Sequence, residues 1–358
     1  GFSAETVPST NPAHGSHLIL TRPPQPGPTI ALVSHLDTVF PAAEEIANDF
    51  RWRVAGPRIF GPGTVDIKGG TVLIYMLLDA IRSQQPDAFA AVNWQVLFNA
   101  AEEVDSEDFA EVARARIPAD ARACLVFEGG FRQDEQLTAV VARKGMGRYR
   151  IIANGRAAHA GSNHPQGANA IVQMAEVVQR LSRITDYDRD LTVNVGHIQG
   201  GTVSNRVPHE ASIEVEMRAF SPAVFAEAHA AILALDGLAT VRSAANGYAC
   251  RVRVEPLRQT APWPRNPATD RLLGVWQTAA AQLGYALAPE ERGGLSDGNY
   301  LWPHVPTLDG LGPAGGNAHC SERSPDGSKE QEYCRVDSFV PRTMVNVTAV
   351  LSLIAAAV

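Results

Sequence analysis

Short apolar, β-branched runs alternate with helix-like stretches along the first part of the chain. Ile30 to Ser34, Trp94 to Phe98 and Cys124 to Phe127 have strand length, and Thr71 to Arg82 and Asp108 to Arg116 have helical character. That alternation predicts an α/β layered domain. From about Gly147 the pattern changes. Strand-like Arg148 to Ala153, Leu191 to Ile198 and Ala211 to Arg218 are separated by helical Asn169 to Arg183 and Pro222 to Leu235, as in an inserted α+β module. Pro262-Trp263-Pro264 punctuates a boundary, after which Asp270 to Gly284 and Pro306 to Leu311 resume the first pattern. The opening domain is therefore expected to be completed by the C-terminal segment. No internal repeat is present, and the proline-rich Pro23 to Pro28 reads as a surface loop.

A chain of 358 residues is long enough for two domains of roughly 100 to 200 residues each. The 31 basic against 38 acidic residues give a net charge of −7, and no long basic block offers a track for a phosphate backbone, so no nucleic-acid partner is expected. The most apolar stretch, Met344 to Val358, is interrupted by Asn346, Thr348 and Ser352. It falls short of the roughly 20 residues of a membrane span and reads as a terminal helix packed on a core; no membrane partner is expected. Gly1 to Glu5 show neither the basic nor the apolar region of a secretory signal. Four cysteines without a CxxC pair argue against a disulfide scaffold or a zinc ribbon. Cys124 reads as a buried inert thiol. Cys320 and Cys334 bracket Ser321 to Tyr333 and are candidates for a cross-link in an oxidising compartment; the sequence leaves both pairing and compartment open.

Acidic and histidine residues recur just after the expected strands, at the edge of an open α/β sheet where ligands bind. His35-Leu36-Asp37 follows the first apolar run, and Asp37 is placed to accept the other ring N–H of His35 and fix its tautomer. Asp66 lies in the glycine-rich Gly61 to Gly70, ahead of a helix, where its carboxylate can bridge two cations. Glu102-Glu103 follows Trp94 to Phe98. Such a pair can give one carboxylate to a metal and leave the other to take a proton from water, although Asp105, Glu107 and Asp108 also suit a solvated acidic turn. Glu128 ends the run Ala123 to Phe127 and needs a partner there. His319 follows the flexible Gly312 to Ala318. His14, His17, His164, His197, His209, His229 and His304 lack such a context and are taken as ordinary surface or core histidines.

Other chemistries fail on inspection. Gly310-Leu311-Gly312-Pro313-Ala314-Gly315 matches a dinucleotide pattern in letters, but Pro313 and Gly316-Asn317 do not open a helix for a pyrophosphate. His209-Glu210 lacks a second histidine four residues after the first, and no Gly-x-Ser-x-Gly elbow is present. A metal-activated water is left as the expected nucleophile.

Taken in order, His35-x-Asp37, Gly63-x-x-Asp66-x-Lys68-Gly69-Gly70, Glu102-Glu103, Glu128 and His319 resemble the ligand series of the acetylornithine deacetylase, succinyl-diaminopimelate desuccinylase, aminoacylase and glutamate carboxypeptidase family. Gly155 to Gly161, Gly200 to Pro208 and Gly293 to Asn299 extend the likeness over nearly the whole chain, and the bacterial glutamate carboxypeptidase branch looks nearest. The resemblance implies a mixed-sheet α/β catalytic domain of the zinc exopeptidase type, residues 1–145 and 258–358, with an inserted α+β lid and dimerisation domain, residues 146–257. It implies one zinc on His35, Asp66 and Glu128 and a second on Asp66, Glu103 and His319, with a water between them and Glu102 as general base. Manganese or cobalt would also suit such ligands. By the same resemblance a homodimer brings His159 to the partner's site to stabilise an oxyanion, and Asn205 and Arg218 hold the substrate carboxylate, against the alternative that Arg218 is a strand arginine in a surface ion pair.

The chain departs from the pattern in three places. It starts near where the family has completed an N-terminal helical stretch, as a processed or truncated form would. The loop from Cys320 is longer than in near relatives. Leu295 replaces a small polar residue in its glycine loop. The expected activity is release of a C-terminal amino acid, glutamate being one candidate, from a peptide or N-acyl conjugate. An N-acyl-amino-acid deacylase or dipeptidase would use the same metals. A binding protein of the same fold without catalysis is the reading from another class, and the presence of Glu102 beside every ligand counts against it. The sequence does not name the compartment.

Overall fold

A computed structural model describes residues 1–130, 136–356 and, as a strand segment, 132–133. It divides into two compact units, residues 1–141, 265–291 and 296–358 in the first and residues 142–264 and 292–295 in the second.

In the first unit six strands form a mixed sheet in the order Ser3–Pro8, Ser16–Thr21, Asn93–Asn99, Thr29–His35, Ala123–Val126, Thr307–Leu308. The first pairings are antiparallel and the inner ones parallel. Parallel strands are covered on both faces, which is why Thr29–His35 reads as a continuous apolar run. Ile30 and Leu32 enter one core with Trp94, Leu125 and helices Gly69–Gln84, Pro267–Gln282 and Phe339–Ala355. Ala31 and Val33 point to the other face, against Phe109 and Ala113 of helix Glu107–Arg116. Helix Pro267–Gln282 starts where Asn266 accepts the amides of Ala268 and Thr269, with proline in its first turn.

The second unit is an antiparallel sheet in the order Thr192–Gly200, Glu210–Ala219, Gly145–Asn154, Arg251–Thr260. Helices Ala170–Ser182 and Pro222–Leu233 cover it, and the chain order strand–helix–strand–strand–helix–strand is the split βαβ arrangement. Tyr149, Ile151 and Ala153 alternate inward against Met174, Val177, Leu181, Phe225 and Ile232.

One expectation needs correction, and one open question is answered. The apolar C-terminal helix begins earlier, at Phe339, and the 20 residues Val336–Ala355 contain an 18-residue window with a mean hydropathy of 1.4, long and apolar enough to cross a membrane by length and composition. Its Val345, Ala349, Val350 and Leu353 are nonetheless core residues. Cys320 and Cys334 are not cross-linked: all four cysteines are free, and the buried Cys334 directs its thiol to the Thr64 carbonyl at 2.6 Å.

Candidate metal centre

The expected ligand residues sit at the carboxyl edge of the parallel strands, where backbone pairing stops and polar side chains become available. His35 is the last residue of its strand and lies opposite Asn99, the last of the neighbouring one. Glu128 follows the third strand and is 8% exposed. Asp66 belongs to a tight turn, Thr64–Lys68, entered through Gly63 at φ 68° and continuing into helix Gly69–Gln84. That helix starts so close to the third strand that a Cβ at Gly70 would lie 2.0 Å from the Phe127 carbonyl oxygen. His319 comes from a loop and takes φ 65°.

These residues, far apart in sequence, converge. Asp66 Oδ1 lies 3.0 Å from His35 Nε2, and Asp66 Oδ2 lies 3.2 Å from His319 Nε2. The first histidine is 3.7 Å from Glu128 Oε1, and the second is 3.3 Å from Glu103 Oε2. Asp66 thus stands between two triads, one oxygen toward each. Ligand atoms of His35, Asp66 and Glu103 all lie within 4.8 Å of one another.

The turn after Asn99 is held by its own amides. Ala100 N–H donates to His17 Nδ1 (3.1 Å), Ala101 N–H to Asn99 Oδ1 (2.9 Å), Glu102 N–H to Asp37 Oδ1 (3.1 Å) and Glu103 N–H to Asp37 Oδ2 (3.0 Å). Asp37 serves both His35 and this turn. The nearest partner of His35 Nδ1 is the Asp37 backbone carbonyl at 3.1 Å, whereas the Asp37 carboxylate stands 3.5 Å away and accepts the two amides of the Glu102-Glu103 turn.

Several contributors escaped the sequence reading. His17, taken as ordinary, is fully buried and braced by Asp108 at 3.3 Å. Asn99 donates to Ser106 and to the buried Asp297 at 2.8 Å. Glu332 is fully buried and accepts the amides of Val65 and Asp66. Only Asp297, inside the family-like stretch Gly293 to Asn299, offered a sequence signal; Glu332 sits in the polar run Lys329 to Tyr333 and gave none.

Burial opposes a charge on His35, but its bonds to Asp37 and Asp66 and the charges of Glu128 and Glu102 outweigh burial and raise its pKa well above the usual histidine value. Its bonds to Asp66 and Glu103 push His319 up to about 10. Asp66 is held below the ordinary carboxylate range: burial would raise it, and the two histidines overcome that. Burial raises Glu102 well above its ordinary value, with Glu128, Asp297 and Asp66 adding to it and His35 opposing. Burial likewise lifts Asp297 and Glu332 to about 7.

The donor set fits divalent cations. A carbonyl oxygen only accepts, so His35 Nδ1 carries a proton toward Asp37, and in the neutral ring the Nε2 lone pair faces the oxygens of Asp66 and Glu128. Acceptor against acceptor requires a cation between them, either a proton or a metal. Glu103 Oε1 is buried with no hydrogen-bond partner, a further site of unmet acceptance. Ligands about 2.0–2.2 Å from a tetrahedral zinc stand roughly 3.3–3.5 Å apart, and the four distances above straddle that value.

The remaining expected residues belong to the second unit. His159 is exposed, and its Nδ1 accepts the amides of Gly161 and Ser162, both at 3.1 Å, so the ring proton lies on Nε2. Asn205 is exposed and gives its carbonyl to Ala160 N–H. Arg218 bonds Glu216 at 2.6 Å and the Gly293 carbonyl at 2.8 Å.

The architecture is that of metallopeptidases with a catalytic sheet and an added α+β unit. A tripeptidase from Staphylococcus aureus superposes with a TM-score of 0.75 at 20% identity, over 99% of this chain and 89% of its own. An M20 family metallo-carboxypeptidase from Sulfolobus solfataricus superposes with a TM-score of 0.68 at 13% identity, over 99% and 91%. Residues 31–348 match peptidase family M20/M25/M40, and the chain belongs to that family. In sequence it is 28% identical over 221 residues to carboxypeptidase G2 of Pseudomonas sp. (strain RS-16), covering 61% of this chain and 51% of that protein. It is 30% identical over 227 residues to a probable carboxypeptidase of Neosartorya fischeri, covering 58% and 49%. The chain thus spans about half the length of the curated relatives it matches.

Proposed function

We propose that this chain is a zinc-dependent exopeptidase of carboxypeptidase type that releases a C-terminal amino acid, glutamate being the first to test, from a peptide or N-acyl conjugate. The observation that carries the reading is the division of Asp66, whose two carboxylate oxygens face two different histidines. His35, Asp66 and Glu128 would hold one zinc ion, and Asp66, Glu103 and His319 the other. Ions held there would supply Lewis acidity, polarising a scissile carbonyl and lowering the pKa of water.

The chain's own groups do the rest. Glu102 takes a proton from water and delivers it to the leaving amine; its burial among Glu128, Asp297 and Asp66 gives it the raised proton affinity of a general base. Asp37 holds the amides of the Glu102-Glu103 turn, so the base and the metal-ligating carboxylate keep fixed positions. His159, from a second copy in a homodimer, presents its Nε2–H to the oxyanion. Asn205 and Arg218 receive the substrate carboxylate, which would compete with Glu216 for the guanidinium.

The test is metal content by plasma mass spectrometry, together with hydrolysis of N-acyl amino acids, dipeptides and C-terminal glutamate conjugates by wild type and Glu102→Ala. Two metals per chain in both proteins, with turnover lost in the variant, supports the mechanism, and the best product separates carboxypeptidase from deacylase and dipeptidase. Neither metal nor turnover would favour a binding protein of the same fold.

A further inference from the structure

Glu332 lies 266 residues from Asp66 in sequence yet is bonded to its peptide. Its side chain is fully buried, and a carboxylate placed there needs strong partners. Oε1 accepts two consecutive amides, Val65 N–H at 2.9 Å and Asp66 N–H at 3.2 Å. Oε2 is buried with no hydrogen-bond partner.

The main chain around Glu332 is tied to both ligand loops. Its own N–H donates to the Cys320 carbonyl at 2.8 Å, next to His319, and its carbonyl accepts Gly61 N–H at 3.4 Å. Tyr333, the next residue, pairs with Phe60 on one side and Gly316 on the other. Cys334 reaches the Thr64 carbonyl. Segment 331–334 therefore joins the Gly61–Asp66 loop to the loop that presents His319. Within this turn the backbone departs from helical values at both Asp66 (φ −118°, ψ 86°) and Ile67 (φ −137°, ψ 36°). Glu332 Oε1 accepts the two successive N–H groups that lead into that departure.

Resting on the two-metal reading above, we infer that Glu332 is a positioning residue of the metal centre: its Oε1 fixes the Val65-Asp66 peptide so that one Asp66 oxygen faces each histidine. Groups that orient metal ligands from behind typically contribute about 10- to 100-fold to metal affinity, and bonds from amides to a charged acceptor are the stronger kind. Acceptance, rather than charge felt at a distance, is the working element. The order of effect is therefore alanine worst, glutamine intermediate, wild type best.

The experiment titrates metal-free full chain with Zn2+ against a chromophoric chelator and with Co2+ followed by its visible absorption, for wild type, Glu332→Ala and Glu332→Gln, with melting of each metal-free protein recorded beside it. The expected result is a loss of about 100-fold in affinity for at least one ion in the alanine variant and about tenfold in the glutamine variant. The alanine variant's cobalt bands should also change intensity, which a remote packing defect would not produce. Wild-type affinity and spectrum in Glu332→Ala would overturn the inference, as would a glutamine variant no better than alanine. Where Glu332→Ala does not fold, Glu332→Gln decides alone: a measurable loss of affinity, about tenfold, supports the role, and affinity equal to wild type refutes it. A wild type that binds no more than one ion would overturn the two-metal reading itself, an outcome distinct from unchanged variants of a protein that binds two.

Discussion

Replacing Asp37 by asparagine should destabilise the chain even though the side chain keeps its size and shape. Its carboxylate oxygens accept the amides of Glu102 and Glu103, one each. Asparagine keeps one oxygen but sets an NH2 group against the second amide, donor against donor. One bond to a charged acceptor is lost and the other becomes neutral. Hydrogen bonds to charged groups contribute about 1.5–3 kcal/mol; the side chain is 20% exposed, so a net loss of about 2 kcal/mol is expected. At about 2–4 °C per kcal/mol for a unit of this size, melting should fall by roughly 4–8 °C. The assay is calorimetry of metal-free wild type and Asp37→Asn across pH. The pKa of Asp37 is lowered on folding; burial raises it, but the His35 contacts and the two amides prevail. Its contribution is therefore full above the unfolded carboxylate pKa, about 4, and is lost as pH falls through the lower folded value. The gap between the two proteins should be constant from pH 7 to 5 and close in more acid solution. Equal melting at pH 7, or a gap that persists at acid pH wherever both remain folded, would refute the argument.

Without metal, His35 and His319 hold protons where the ions would sit, so binding at pH 7 should release protons and affinity should rise with pH, by up to about tenfold per unit for each proton released. Titration calorimetry in buffers of different ionisation heat checks this, and a buffer-independent enthalpy would contradict it. Glu102→Gln should keep its metals and lose about 10²- to 10⁴-fold in kcat, measured by single-turnover hydrolysis; loss of metal instead would make Glu102 a ligand. His159→Ala should lower kcat by about 10²- to 10³-fold with little change in KM and in melting; a KM effect alone would move His159 to ground-state binding. Ellman's reagent in denaturant without reductant should count four thiols per chain; two would restore the cross-link between Cys320 and Cys334.

The apolar runs and their punctuation were enough to place the parallel strands, because a strand covered on both faces must be apolar throughout and must turn polar where its backbone pairing ends. Ile30 to Ser34 therefore announced both the central strand and the position of His35. Likewise Trp94 to Phe98 announced the turn of Glu102-Glu103, and Cys124 to Phe127 announced Glu128. Such ends are local features, legible from residue type and period alone. The residues behind the ligands are of another kind. Asp37 reads as a partner of the nearby His35, yet its carboxylate serves amides more than sixty positions away. His17 looks ordinary until Ala100 is packed over it, and Glu332 lies in a polar run whose composition suggests solvent while the structure buries it completely. Sequence by itself determined the parallel strands at the centre of the sheet, helices that cover them and the acidic and histidine residues at their ends, since these follow from side-chain polarity in a local backbone geometry. Only the tertiary structure decided which oxygen of Asp66 faces which histidine, and which acceptors lie beneath the ligand peptides, because hydrogen bonds between distant segments depend on how those segments pack and leave no period in the chain.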